Sequence, residues 1–138
     1  PNNNNDRLYS AVAELGLGLE DKMDIPVGLL SGGQRQAIAL LMATMTPISF
    51  LILDEHTAAL DPKTAEIIMK LTDRIVREKS LTAIMVTHNL RYAVEYGNRM
   101  LMLHHGDIVL ERKAAAKTET TVDDILSVFN EISIECGN

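Results

Sequence analysis

Residues 48–55 read Ile-Ser-Phe-Leu-Ile-Leu-Asp-Glu, an apolar run that stops abruptly at two carboxylates. The short apolar run over 48–53 (ISFLIL) predicts a strand buried on both faces, the kind found in parallel sheets. Asp61-Pro62 follows within a few residues: an N-cap, then a proline at the first helical position, where its missing N–H costs nothing. The helix it opens is expected to run to about Lys79, with Ala65, Ile68, Leu71 and Ile75 on one stripe. Thr82 to Thr87 (TAIMVT) reads as a second buried strand. Strand, helix and strand with short links make a crossover unit, so the domain is expected to be α/β with a mostly parallel sheet.

Outward from this unit the signals remain local. Upstream, Ser31 with Gln34 three residues later forms a capping-box pattern opening a helix to about Met45, closed by Pro47. Residues 6–15 place Leu8, Val12 and Leu15 at helical spacing, with Gly16 and Gly18 as stops. Downstream, Asn89 to Tyr96 predicts a helix ended by Gly97. RMLMLH and DIVLER flank His105-Gly106 as a hairpin. A polar, Ala-rich link then leads to an amphipathic helix over 122–132. No internal repeat is present.

Bulk properties narrow the class. The chain has 138 residues, 46% hydrophobic and 23% charged, the composition of an ordinary globular domain with a real core. A net charge of −6 argues against a phosphate-backbone binder, which normally presents a basic face, so no nucleic-acid partner is expected. The single Cys136 excludes an intrachain disulfide and points to a reducing compartment. Apolar runs are short and broken by charges, well under the ~18 residues a membrane span needs, so no direct insertion is expected. The opening Pro1 and Asn2 to Asn5 are expected of a loop inside a longer protein.

Four strings carry chemistry. Leu30-Ser31-Gly32-Gly33-Gln34 combines two small residues, which let backbone approach a phosphate, with a hydroxyl donor and a helix N-terminus; a glycine-rich cap without ligand has the same local sequence. Asp54-Glu55 stands at the C-terminal end of a parallel strand, where α/β sheets bind their ligands. An aspartate there can hold Mg²⁺ and an adjacent glutamate can polarise water. Val86-Thr87-His88-Asn89 sets an imidazole at the end of the next strand. Strands of one parallel sheet end on one edge, so His88 is expected to face the carboxylate pair. Ala58-Ala59-Leu60-Asp61 supplies the helix cap, with a second role for Asp61 left open.

In this order and spacing the four strings resemble the ATP-binding domains of ABC transporters over residues 20 to 110: an LSGGQ signature, a Walker B strand, a D-loop and a switch histidine. The resemblance implies a partial P-loop NTPase core, with residues 1–47 as part of the helical signature subdomain and 48–138 as the C-terminal part of the ATPase core. By the same resemblance Asp54 would coordinate Mg²⁺, Glu55 would act as catalytic base or water-positioner, and His88 would contact the γ-phosphate. Ser31, Gly32, Gly33, Gln34 and Asp61 would engage ATP held by a second ATPase subunit in a head-to-tail dimer. The implied setting is peripheral, on the cytoplasmic face of the cell membrane, against a separate permease, with import favoured. A soluble non-transport ABC ATPase and a non-catalytic half-domain supplying LSGGQ in trans are the competing readings.

Two residues depart from the family pattern: His56 stands where proline is usual, and Ala58 where the D-loop usually has serine. The phosphate loop G-x-x-x-x-G-K-[ST] is absent from these residues, since none of the eight glycines precedes a lysine. The family's adenine-stacking aromatic and glutamine loop belong upstream of the signature, where this sequence is too short to hold them. ATP turnover is therefore expected of a complete domain and not of these 138 residues alone.

Overall fold

The structure is a computed structural model that describes residues 3–136. Two compact units divide at Val86/Thr87.

The first unit opens with α1 (Asn3–Ala13). Its first turn contains Asn4 and Asn5, so this part of the expected entry loop is helical; Pro1 and Asn2 lie outside the described residues. The run of asparagines lacks the apolar periodicity that announces a helix, and the amphipathic stretch after it recruits one extra turn. Gly16 and Gly18 follow with φ of +70° and +65°, the left-handed backbone that ends the segment. After two 3₁₀ turns at 20–22 and 27–29, α2 (Gly32–Thr44) begins on a complete capping box. The Ser31 Oγ accepts from the Gln34 N–H at 3.2 Å and the Gln34 Oε1 accepts from the Ser31 N–H at 3.1 Å.

Strand β1 (Phe50–Asp54) pairs in parallel with β2 (Thr82–Val86), in a register that sets Ile52 beside Ile84 and Asp54 beside Val86. The crossover between them is α3 (Pro62–Glu78), 17 residues capped by Asp61 and started by Pro62. Its end is a Schellman turn, with Ser80 N–H donating to Arg77 O and Leu81 N–H to Val76 O. Ser80 takes the left-handed position, φ +50°, that glycine usually fills. Ala65, Ile68, Leu71 and Ile75 are all buried, as their stripe predicts. Ile68, Leu71 and Ile75 join Leu51 and Leu53 of β1 and Ala37, Leu40 and Leu41 of α2 in one core.

The two-faced burial expected of these strands does not hold. Leu51 and Leu53 are buried, whereas Phe50 and Ile52 on the opposite face are 48% and 67% exposed, and Ile84 and Val86 beside them are also exposed. Helices α2 and α3 cover one face of the pair, and no second helical layer of the unit lies on the other among the described residues. A continuous apolar run reports what a strand can bury, not which faces are covered.

The first helix of the second unit is α4 (Leu90–Glu95), capped by the Asn89 side chain and followed by Gly97 with φ +76°. Strands β3 (Arg99–His104) and β4 (Asp107–Lys113) form the expected antiparallel hairpin. His105 and Gly106 both have positive φ, +49° and +89°, as the two-residue turn matching strand twist requires. The Ala-rich link is instead a helix, α5 (Ala114–Glu119), followed by α6 (Val122–Cys136). Lys117 explains the difference: it is buried, its ammonium donates to the Val94 carbonyl near the end of α4, and it anchors α5 there. Burial holds its amine below the usual lysine range. Met100, Leu110 and Ile125 form this unit's small core. Among the described residues no helix is long and apolar enough to cross a membrane.

Ile68 is fully buried in the core it shares with β1 and α2. Ile68→Ala should destabilise the first unit by about 3 kcal/mol, read as a lower denaturant midpoint with unchanged slope.

Candidate functional site

Three of the four strings meet in the first unit. The N-terminal turn of α2 packs on the N-terminal turn of α3 with almost no space between them. A Cβ added at Gly32 would lie 3.1 Å from Leu60 Cδ2, and one at Gly33 only 2.2 Å from Thr64 Cγ2. Thr64 is held by the Asp61 cap, its N–H donating to Asp61 Oδ2 at 3.0 Å. Glycine is thus required here for helix-on-helix contact, besides any approach to a phosphate. Sequence periodicity carries no signal for this, because the partner lies some thirty residues on.

Within the signature turn the capping box leaves distinct capacities. Ser31 uses its oxygen as acceptor, so its hydroxyl proton is not consumed by the cap. Gln34 is occupied at both ends of its amide, Oε1 on the Ser31 N–H and Nε2 on the Leu17 carbonyl at 3.4 Å. Arg35 reaches back to the Leu30 carbonyl at 2.9 Å and ties down the approach to the helix.

Asp54 is the last residue of β1 and is exposed. Glu55 continues the ladder by one bond, its N–H donating to the Val86 carbonyl at 2.9 Å, and then turns with φ +47°. A left-handed glutamate costs of order 1–3 kcal/mol and persists only where its surroundings over-determine it. The Ala58 N–H closes the turn on the Glu55 carbonyl at 3.0 Å. His56, next in the chain, is half-buried; its Nε2 lies 3.0 Å from Thr72 Oγ1 on α3, and its carbonyl accepts from Gln36 Nε2 of α2 at 2.5 Å. Burial lowers the imidazole pKa. The sequence singles out His56 only as a departure from a pattern; its two-sided bonding is visible in three dimensions alone.

His88 belongs to the second unit, two residues beyond the end of β2. It is exposed, and the turn around it is ordered by the Asn89 N–H on Thr87 Oγ1 at 3.0 Å and by the Asn89 cap of α4. Its expected meeting with the carboxylate pair remains a proposal; the strand register brings the end of β2 beside Asp54.

No group of three or more His, Cys, Asp and Glu side chains stands together among the described residues. An exposed strand-end carboxylate suits Mg²⁺ all the same, because this ion is usually held by one or two carboxylates and completed by phosphate oxygens and water. Asp54 fits that donor set.

A parallel strand pair ending in carboxylates, with a capped Ser-Gly-Gly-Gln helix docked on the crossover helix, defines part of a P-loop NTPase core of the ABC ATPase type. Solved structures show the same fold. The chain aligns over 94% of its length with 51% of an ABC transporter described as of metal-chelate type, in an inward-facing conformation (TM-score 0.70, 24% identity). It aligns over 88% with 47% of an ATP-binding cassette of an ABC transporter (TM-score 0.69, 22% identity). The family model described as ABC transporter matches residues 2–58. Among curated proteins, a tyrosine transport ATP-binding protein of Clostridioides difficile is 51% identical over 83% of this chain and 46% of its own length. The methionine import ATP-binding protein MetN 2 of Bacillus cereus is 36% identical over 83% of this chain and 35% of its own. The phosphonates import ATP-binding protein PhnC 1 of a Ruegeria species is 38% identical over 79% and 42%. The chain belongs to the ABC transporter ATP-binding family, and it spans about half the length or less of these curated relatives.

Two outcomes test this geometry. Gly33→Ala should destabilise the first unit by roughly 1–3 kcal/mol, overriding the better helix propensity of alanine, because the stiff Thr64 side chain cannot yield. Thr64→Ser, which removes the clashing methyl, should restore most of that loss in the double variant, read by urea denaturation. The hydrogen bonds from Thr64 hold the Asp61 carboxyl below its ordinary value. Its contribution is therefore complete above the unfolded carboxylate pKa of about 3.9 and disappears as pH falls through the lower folded value. The stability difference between wild type and Asp61→Asn should accordingly be constant at neutral pH and shrink below about pH 4.

Proposed function

We propose that this chain is the signature-and-hydrolysis part of an ATP-binding subunit that powers an ABC transporter, in an uptake system. Residues 1–47 contribute to the helical signature subdomain and 48–138 to the ATPase core. The observation that carries the reading is the junction of three strings in one unit. The Ser31–Gln34 turn is seated on the Asp61-capped helix through Gly33 and Thr64 and bonded through Gln36 to the residue after Glu55. Relatives named for tyrosine transport and for methionine and phosphonates import support transport and the direction of uptake.

In this reading Asp54 holds Mg²⁺, which when bound neutralises charge on the transferring phosphates. Glu55 orients and deprotonates the attacking water from the turn that follows β1. His88 supports the γ-phosphate from the loop after β2. Ser31 donates its hydroxyl proton, and with Gly32, Gly33 and Gln34 engages ATP held by a second subunit paired head to tail, while Asp61 reaches across the interface to the same site. The subunit works at the cytoplasmic face of the membrane against a permease, which selects the substrate. Without a phosphate loop in these residues, the electrostatics that grip ATP come from elsewhere.

Calorimetric titration of the 138-residue chain with Mg·ATP should show no saturable binding below ~1 mM. Mixing it with a phosphate-loop half of a relative should restore hydrolysis. Glu55→Gln should then reduce turnover by about a hundredfold or more. Micromolar ATP affinity of the chain alone, or full turnover by Glu55→Gln, contradicts the proposal.

A further inference from the structure

We propose that His56 is a positioning residue that clamps the Asp54–Glu55 strand end to α2 and α3 and thereby holds the Glu55 backbone in its left-handed conformation. The inference rests on the role given above to Glu55.

The hydrogen-bond inventory fixes the chemistry. The hydroxyl of Thr72 has one proton, and it donates that proton to the Ile68 carbonyl at 2.8 Å. Toward His56 the Thr72 oxygen must therefore accept, so the imidazole carries its proton on Nε2 and donates across the 3.0 Å contact. Thr72 is buried on the inner face of α3, so this bond anchors the loop to a rigid helix. On the other side, the His56 carbonyl is held by Gln36, one turn into the helix that Ser31 caps. Side chain and main chain of one residue thus grip two helices, and Glu55 lies between this grip and its own bond to the end of β2. A glutamate at φ +47° needs such restraint on both flanks.

The arrangement also gives the signature helix a direct mechanical connection to the water-activating carboxylate. Any shift of α2 when the Ser31 turn engages a nucleotide is carried by Gln36 to the peptide that follows Glu55. A proline at position 56 would keep the carbonyl end of this link and lose the imidazole end. His56 adds a second anchor.

The test uses the 138-residue chain itself. Long-range proton–nitrogen correlations of the His56 ring, at about pH 8 where imidazole is neutral, should show the Nε2–H tautomer. Amide exchange at Glu55 and Ala58 should accelerate about five- to tenfold in His56→Ala, Gln36→Ala and Thr72→Val, each of which removes one bond of the clamp. His56→Gln should restore protection, since its amide can donate to Thr72. An Nδ1–H tautomer, or wild-type exchange at Glu55 and Ala58 in both His56→Ala and Thr72→Val, overturns the proposal. Should His56→Ala fail to fold, Thr72→Val and Gln36→Ala decide by the same readout. These measurements do not involve turnover, so full hydrolysis by Glu55→Gln would defeat the functional reading and leave the clamp standing.

Discussion

The parallel ladder between Phe50–Asp54 and Thr82–Val86 is the constraint on which the first unit depends. Parallel strands cannot be joined by a tight turn, so the chain must cross over the sheet, and α3 is that crossover. Its apolar stripe must then face the strands, which places Ile68 and Leu71 in the core and brings the N-terminus of α3 to the end of β1 where the carboxylates stand. Helix α2 fills the remaining side of the same core. The position of the chemistry follows from the route of the chain.

What converts that route into a site is close approach. Helix α2 can come within contact of α3 only because Gly33 has no side chain, and the Asp61 cap holds Thr64 against it. Once seated, α2 presents Gln36 to the loop after β1, and α3 presents Thr72 to the same loop. The strained Glu55 backbone is compatible with these bonds on every side. Local strain and tertiary hydrogen bonding are two aspects of one arrangement, since without the second the first would relax toward an ordinary extended strand end.

The unfilled face of the β1–β2 pair shows how far a half-covered parallel sheet departs from expectation. Phe50 and Ile52, and Ile84 and Val86, belong to two runs that read as core, yet they remain in contact with solvent. Apolar composition records the burial a strand is suited to, and the helices of this unit cover only Leu51, Leu53 and their neighbours. The Ala-rich segment before α6 erred in the opposite direction. It reads as a polar link, but the α4 carboxyl end offers Lys117 the Val94 carbonyl, and the segment is a helix, α5.

By itself the sequence determined the elements whose causes lie within four residues. The Ser31 capping box, the Asp61–Pro62 helix start, the stripe of α3, the Asn89 cap and the His105-Gly106 turn all stand where their residues predict them. It also determined the family, because four motifs in fixed order are a linear signal. Tertiary structure alone decided which strand faces are covered, why Gly33 must lack a side chain, and what His56 does. These depend on partners far along the chain, such as Thr72 for His56, Gln36 for its carbonyl and Thr64 for Gly33. Capping and periodicity are properties of a short segment, whereas contact and hydrogen-bond satisfaction across helices exist only once the chain has folded back on itself.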